Sequence, residues 1–255
     1  MTSRLNCFLI NLDRSAERLA SVERCFSGRP PFRRVIGTDG KQLNDAVSIG
    51  YSLEMNRKEY GRLLTKGEIG CYHSHLNAVK CFLKTGDPFG VILEDDALVD
   101  DRFFDFLNAF SKVMSSLPTD LRVVNICNSA EASNCLETTV RFQDSRFKLF
   151  RTLKFPTVAR GLVYSRLGAS ELLTHGSTIS KPFDHFLKDW LTRRVGGYCL
   201  STPIVGSAGF SSDIGSGTSR KEQPFWEGLR YDWVVAKRDT LNNFHRLKRK
   251  FLKKE

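Results

Sequence analysis

The chain has 255 residues, enough for one large α/β domain or two small ones, and its 41% hydrophobic and 26% charged residues are ordinary for a soluble globular protein. No apolar run approaches the roughly 20 residues of a membrane-spanning helix, and the short apolar stretch in MTSRLNCFLINL runs at once into DRSAER, a poor signal peptide. A formal net charge of +11 and a sequence pI of about 9.4 point to an anionic partner.

The first half alternates strand and helix patterns. NCFLINL (6–12) predicts a strand, and Asp13 is placed to cap a helix with Ala16, Leu19, Val22 or Glu23, and Phe26 on one face. FRRVIG resumes strand character after the breaker GRPP. TKGE (65–68) has the pattern of a capping box, and the helix behind it carries Ile69, Tyr72, Leu76, Val79 and Leu83 on one stripe until GDP (86–88) ends it. FGVIL is a continuous apolar run of strand length, as expected of a central parallel strand covered on both faces. A second helix is predicted from Asp101 to Leu117, stopped by Pro118, and RVVNIC (122–127) is another buried strand. This βαβα succession predicts an α/β fold, an open and mostly parallel sheet with helices on both faces.

Beyond it, 128–156 is poorly patterned. GLVYS and GASELLTH restore strand and helix character, and PFDHFLKDWLTRR predicts a helix after Pro182. Residues 201–224 are rich in Ser and Gly, which predicts a long mobile loop near a site. No internal repeat is visible. The expected division is one domain over 1–224, with halves of about 1–127 and 128–224, followed by a basic helical segment over 225–255.

In that last segment HRLKRKFLKKE sets Arg246, Lys248, Arg249, Lys250, Lys253 and Lys254 against Glu255 alone, while Leu241, Phe244, Leu247 and Phe251 recur at near-helical spacing. A basic amphipathic helix of this kind is either a solvated terminal helix or a dock for an anionic membrane surface. Nucleic acid ranks third, because no nucleic-acid-binding motif accompanies the charge. The seven cysteines (Cys7, Cys25, Cys71, Cys81, Cys127, Cys135 and Cys199) are scattered and form no C-x-x-C pair. That argues for reduced thiols in a cytoplasm, and against a zinc ribbon or a disulfide framework.

The chemistry concentrates in GVILEDDALV (90–99), where Glu94, Asp95 and Asp96 follow the aliphatic run directly. Three adjacent carboxylates repel one another unless a cation or solvent takes up the field. In an open α/β sheet ligands bind beyond the carboxyl ends of the strands, and hard oxygens there suit Mg²⁺ or Mn²⁺ shared with a ligand's phosphates. The plain alternative is a solvated strand end whose acids cap the next helix. Strand alternation pairs Glu94 with Asp96, whereas a turn immediately after Leu93 would face Asp95 and Asp96 together. Asp96 belongs to both schemes.

The combination INLDRSAERL (10–19), LTKGEIGCYHSHLNAV (64–79), VILEDDALV (91–99) and KPFDHFL (181–187) resembles glycosyltransferase family 25, the lipopolysaccharide- and lipooligosaccharide-type sugar transferases related to the collagen galactosyltransferases. The likeness runs over roughly Leu5 to Ser216. It implies an A-type (Rossmann-like) glycosyltransferase fold, a UDP-sugar donor (usually UDP-galactose), Mn²⁺ or Mg²⁺, inversion at the anomeric carbon, and a glycan or glycolipid acceptor. A donor half and an acceptor half would then occupy 1–127 and 128–224. The expected location is the cytoplasm, peripheral on the inner face of a bacterial cytoplasmic membrane.

By the same resemblance Glu94, Asp95 and Asp96 take the metal and nucleotide-sugar role, and Asn11, Arg14 and Arg18 lie near the nucleotide. An Arg fork suits a diphosphate; a solvated helix face is the plain reading of Arg14 and Arg18. GCYHSH fits the family around Gly70, Ser74 and His75, but His73 stands where the family more often has an aliphatic residue. Two residues apart on a helix, His73 and His75 diverge, so His75 is the site candidate and His73 reads as a packed histidine. Leu162 likewise replaces a common aromatic. Asp184 matches a Pro-x-Asp motif and is the candidate general base, against a simple helix-capping role. Asp213, in GFSSDIGSG, is a further candidate for metal or donor contact. The rival readings are a metal-dependent nucleotidyl- or phosphotransferase, disfavoured by the absence of a P-loop, and a non-catalytic glycan- or membrane-binding protein.

Overall fold

The computed structural model describes residues 5–129, 135–210 and 225–252. In chain order the elements are β1 (Asn6–Asn11), α1 (Ala16–Cys25), β2 (Phe32–Ile36), α2 (Leu53–Glu59), α3 (Lys66–Leu83), β3 (Phe89–Glu94), β4 (Ala97–Val99), α4 (Asp101–Val113), β5 (Val123–Ser129), β6 (Cys135–Arg141), β7 (Lys148–Thr152), β8 (Gly161–Ser165), α5 (Arg166–His175), α6 (Phe183–Arg193), β9 (Gly197–Leu200), β10 (Val205–Ser207) and α7 (Phe225–Leu252).

The main sheet has the order β2-β1-β3-β8-β5-β9-β7-β6. β1 is parallel to β2 and β3, and β5 is parallel to β9. The strand GLVYS, β8, runs antiparallel to both of its neighbours, β3 and β5. With β8 as the inverted partner between them, β3 and β5 still point the same way, so β1, β2, β3, β5 and β9 share one direction. Their carboxyl ends therefore share one edge.

The period of two along each strand divides the apolar residues between two cores. Cys7, Leu9, Val91, Leu93, Val124 and Val163 pack with α1 and α4, through Val22, Phe103, Phe106 and Phe110. Phe8, Ile10, Ile92, Val123, Leu162 and Tyr164 pack on the other side with α3, α5 and α6, through Tyr72, Leu76, Val79, Leu172, Phe183 and Leu187. FGVIL is apolar throughout because both of its faces are covered, each buried aliphatic contributing roughly 1.5–3 kcal/mol. This is a mixed α/β, Rossmann-like arrangement, as the resemblance implies.

The capping box forms: Glu68 N donates to Thr65 Oγ1 at 3.1 Å and Thr65 N donates to Glu68 Oε2 at 2.8 Å. Other local expectations are corrected. The cap position of α1 is Ser15, while Asp13 is exposed and pairs with Arg34 at 2.7 Å. Phe82 rather than Leu83 completes the buried stripe of α3. The helix after Asp100 ends at Val113 and continues only as a 3₁₀ turn, Met114–Ser116. The poorly patterned middle supplies β6 and β7, an antiparallel pair at the sheet edge. In the Ser- and Gly-rich stretch, β10 pairs antiparallel with β4. Residues 211–224, and with them Asp213, lie outside the described residues.

Candidate active site

Asn11 ends β1 and Glu94 ends the adjacent β3, so Asn11 and the acidic run emerge together at the shared carboxyl edge. A cavity of about 630 Å³ opens there, lined by Asn11, Arg14, Arg18, His75, Glu94, Asp95 and Asp96 among others. That volume suits a ligand of nucleotide-sugar size. Every residue expected at the nucleotide thus reaches one cavity.

The three acids have different partners. Asp95 is buried, and both of its oxygens are taken: Asn11 Nδ2 donates to Oδ2 at 2.8 Å and Arg18 donates to Oδ1 at 3.0 Å. It braces β1 and α1 against β3 while lining the cavity. Glu94 accepts from Nε2 of His75 at 2.9 Å. Burial pushes the Glu94 carboxyl up, but the His75 hydrogen bond, with the His75, Arg160 and Arg18 charges, holds it below its ordinary value. Asp96 accepts from Arg160 Nε at 2.9 Å through Oδ2, and its Oδ1 is buried with no hydrogen-bond partner among the described residues. Burial first, then the Glu94 charge, raises the Asp96 pKa against the opposing pull of Arg160.

A buried carboxylate oxygen without a partner is costly unless something else takes it up. Asp96 Oδ1 is therefore the atom that fits a divalent cation, with Glu94 beside it.

Each residue of GCYHSH has a distinct task on α3. A Cβ on Gly70 would lie 2.5 Å from the carbonyl oxygen of Thr38, so only glycine lets α3 approach the loop at the cavity wall. Ser74 Oγ accepts from Thr38 N at 2.8 Å and donates to Gly70 O at 2.7 Å. His73 Nδ1 lies 2.8 Å from Thr38 Oγ1, the packed and partnered histidine that its position predicts. His75 faces the other way, fully buried, stacked on Phe183 with ring centroids 4.1 Å apart. Cys71, one turn before His75, also lines the cavity.

Arg14 pairs with Asp39 at 2.7 Å, and Arg18 lies over the Phe210 ring at 5.6 Å. Asp184 sits in the first turn of α6 and accepts from the N–H of its neighbour His185 at 2.8 Å; the cap position itself is Pro182. Asp184 is not among the residues lining the cavity, but its charge acts on Cys71 and Glu94. Burial, opposed by the His185 bond and aided by the Glu94 and Glu68 charges, raises its pKa to about 6.

Sequence reasoning missed Arg160, Cys71, Asp39 and Phe210 as cavity residues. Arg160 directly precedes GLVYS, but a parallel β8 would have put it at the opposite edge. Cys71 stands one helical turn from His75, a spacing visible in the sequence.

Glycosyltransferase family 25 (LPS biosynthesis protein) matches residues 4–187, well over half of the chain. The chain is 31% identical over 124 residues to procollagen galactosyltransferase 1-B of Xenopus laevis, covering 47% of this chain and 19% of that protein. It is 33% identical over 94 residues to procollagen galactosyltransferase 1 of Danio rerio, covering 35% of this chain and 16% of the relative. A third relative, 32% identical over 101 residues (38% of this chain, 18% of the relative), is the probable inactive glycosyltransferase 25 family member 3 of Rattus norvegicus. The chain thus spans less than a fifth of each of these relatives. With a matched span that contains β1, α3, the acidic turn after β3 and the start of α6, this chain belongs to glycosyltransferase family 25.

Proposed function

We propose that the chain transfers a hexose, galactose first among candidates, from a UDP-sugar to a hydroxyl of a glycan or glycolipid acceptor, with inversion. The observation that carries this reading is the cavity at the carboxyl edge, where an open Asp96 oxygen stands among Arg160, Arg18 and Arg14. The galactose preference rests on the names of the procollagen relatives. Asp96, with Glu94 beside it, would hold Mn²⁺ or Mg²⁺, which supplies Lewis-acid stabilisation of a leaving diphosphate. Arg14 and Arg18 bind and orient phosphate oxygens through charge-assisted bonds, and the Asn11–Asp95 brace keeps Arg18 in place. Asp184, with its raised pKa, takes the acceptor proton.

A panel of UDP-sugars, assayed for UDP release with Mn²⁺ and with excess EDTA, tests the reading. Release of UDP confirms sugar transfer or its hydrolytic equivalent; UMP or pyrophosphate as product would establish the nucleotidyltransferase alternative. No turnover of any nucleotide sugar would place the chain with its probable inactive relative.

The acceptor's location is proposed from α7. Its inward side is anchored: buried Asn242 donates to Asp189 Oδ1 at 2.7 Å, and Arg249 donates to the carbonyl of Arg194 at 2.7 Å. Trp233 and Phe244, by contrast, are 63% and 61% exposed, with Leu241 and Leu247 also exposed, and Lys237 lies over the Trp233 ring at 5.1 Å. An aromatic and aliphatic stripe beside Lys237 and Lys248 suits an anionic bilayer surface, so we propose docking there, at the inner face of a bacterial cytoplasmic membrane. No helix among the described residues is long and apolar enough to cross a membrane.

A further inference from the structure

We propose that Cys71, His75 and Glu94 form a binding site for a borderline-soft divalent cation, Zn²⁺ by its chemistry, which shares Glu94 with the hard-ion position at Asp96. Cys71 and His75 stand four residues apart on α3, so they project from one face, and Glu94 meets them from the end of β3. The Cys71 sulfur, a ring nitrogen of His75 and a Glu94 carboxylate oxygen all lie within 4.8 Å of one another. All three residues line the same cavity, so a cation can reach them.

The donor set decides the metal. Thiolate, imidazole and carboxylate are ligands of Zn²⁺, with bonds of about 2.0–2.3 Å, whereas Mg²⁺ and Mn²⁺ favour oxygen alone. Closing three atoms from their present separations onto such bonds requires shifts on the order of an ångström, within the reach of side-chain rotation. His75 has a nitrogen to spare. Its Nε2 is hydrogen-bonded to Glu94, and its Nδ1 is buried without a hydrogen-bond partner among the described residues, so the ring can offer a nitrogen to a cation. The Cys71 thiol gives its proton to solvent on binding, as a zinc-bound sulfur must. Three protein ligands leave the fourth tetrahedral position for water or a substrate oxygen in the cavity. Zn²⁺ at this position engages Glu94 beside the Asp96 position, and so competes with the donor substrate.

Cobalt(II) is the probe, because a cysteine-bound Co²⁺ absorbs in the near ultraviolet through thiolate-to-metal charge transfer. Titrating the full chain with Co²⁺ should raise that band, and Zn²⁺ should remove it by displacement. Cys71→Ser should lose the band, Cys25→Ser should keep it, and Asp96→Asn should keep it, which separates this site from the hard-ion position and from the transferase reading. His75→Gln retains the thiolate and should weaken Co²⁺ binding by more than the roughly 10–100-fold that even an outer-shell partner contributes. Circular dichroism of Cys71→Ser establishes its fold. Absence of a band in the folded wild-type chain overturns the proposal, as does a band of full intensity in Cys71→Ser or unchanged Co²⁺ affinity in His75→Gln.

Discussion

Arg160, at the amino end of the antiparallel strand β8, holds Oδ2 of Asp96, two residues past the carboxyl end of the parallel strand β3, at 2.9 Å. The contact exists because β8 is inverted: its start lies at the edge where β3 finishes. The ion pair occupies one Asp96 oxygen and leaves the other buried, with no hydrogen-bond partner among the described residues. Arg160 thus fixes the carboxylate without filling it.

Asp96→Asn is expected to abolish divalent-dependent transfer while preserving the fold. The Arg160–Asp96 pair is partly exposed, so its loss should cost at most about 1 kcal/mol, or a Tm shift of roughly 2–4 °C. Turnover should fall by about 10²-fold or more, since a metal contributes several kcal/mol and each 1.36 kcal/mol is tenfold. Wild-type turnover that is unaffected by excess EDTA would remove the cation from the mechanism.

Asp95 should behave in the opposite way. Both of its oxygens accept hydrogen bonds in a buried position, and asparagine can offer only one acceptor oxygen to Asn11 and Arg18. Asp95→Asn is therefore expected to destabilise the chain by about 1–3 kcal/mol, the cost of an unsatisfied buried group. Denaturant unfolding measures this. An unchanged midpoint, together with lost metal dependence, would show that Asp95 acts in the metal shell instead.

What was legible in the sequence follows from which interactions are local. The capping box, the two-faced apolar run FGVIL and the α3 stripe are set by neighbours in sequence, and all three appear. The direction of β8 is not local: a five-residue apolar strand reads alike in either direction. Arg160 was missed for that reason, and with it the partner of Asp96. The roles within the acidic triad were equally hidden, since Asp95 finds Asn11 and Arg18 only after β1 and β3 pair, 84 and 77 residues away in the chain. Cys71 stood in view among the scattered cysteines, but its nearness to Glu94 depends on how α3 packs against β3.

The α7 stripe calls for point substitutions rather than truncation. Removing residues 242–255 would delete Asn242 and Arg249, strip buried Asp189 of a partner and confound docking with unfolding. Trp233→Ser combined with Phe244→Ser touches exposed side chains only. This double variant is expected to keep its Tm and its activity on a short soluble acceptor, while binding anionic vesicles more weakly. The residual binding should be more salt-sensitive, since Lys237 and Lys248 then act alone. Equal vesicle binding by wild type and variant would make α7 a solvated helix; loss of a dimer instead would mark the stripe as an interface between two copies.

Asp184 couples activity and stability with opposite signs. Its pKa stands at about 6 in the folded chain, against an ordinary value of 3.8, with burial as the main cause. A general base works as the carboxylate, so transfer should climb as pH rises through about 6 and then level off. For stability, the folded state binds more protons than the unfolded state between those two values, so this group's contribution is present at low pH and is lost as pH rises through 6. Asp184→Asn removes both effects. Transfer should drop by about 10²–10⁴ and lose the pH limb, while Tm at pH 7 rises above wild type because no charge is left to bury. The His185 N–H keeps an acceptor in asparagine, so no local bond is lost. A near-normal transfer rate with the pH limb intact would show that another carboxylate takes the proton, and a fallen Tm at pH 7 would show that the ionised Asp184 is held by a favourable contact.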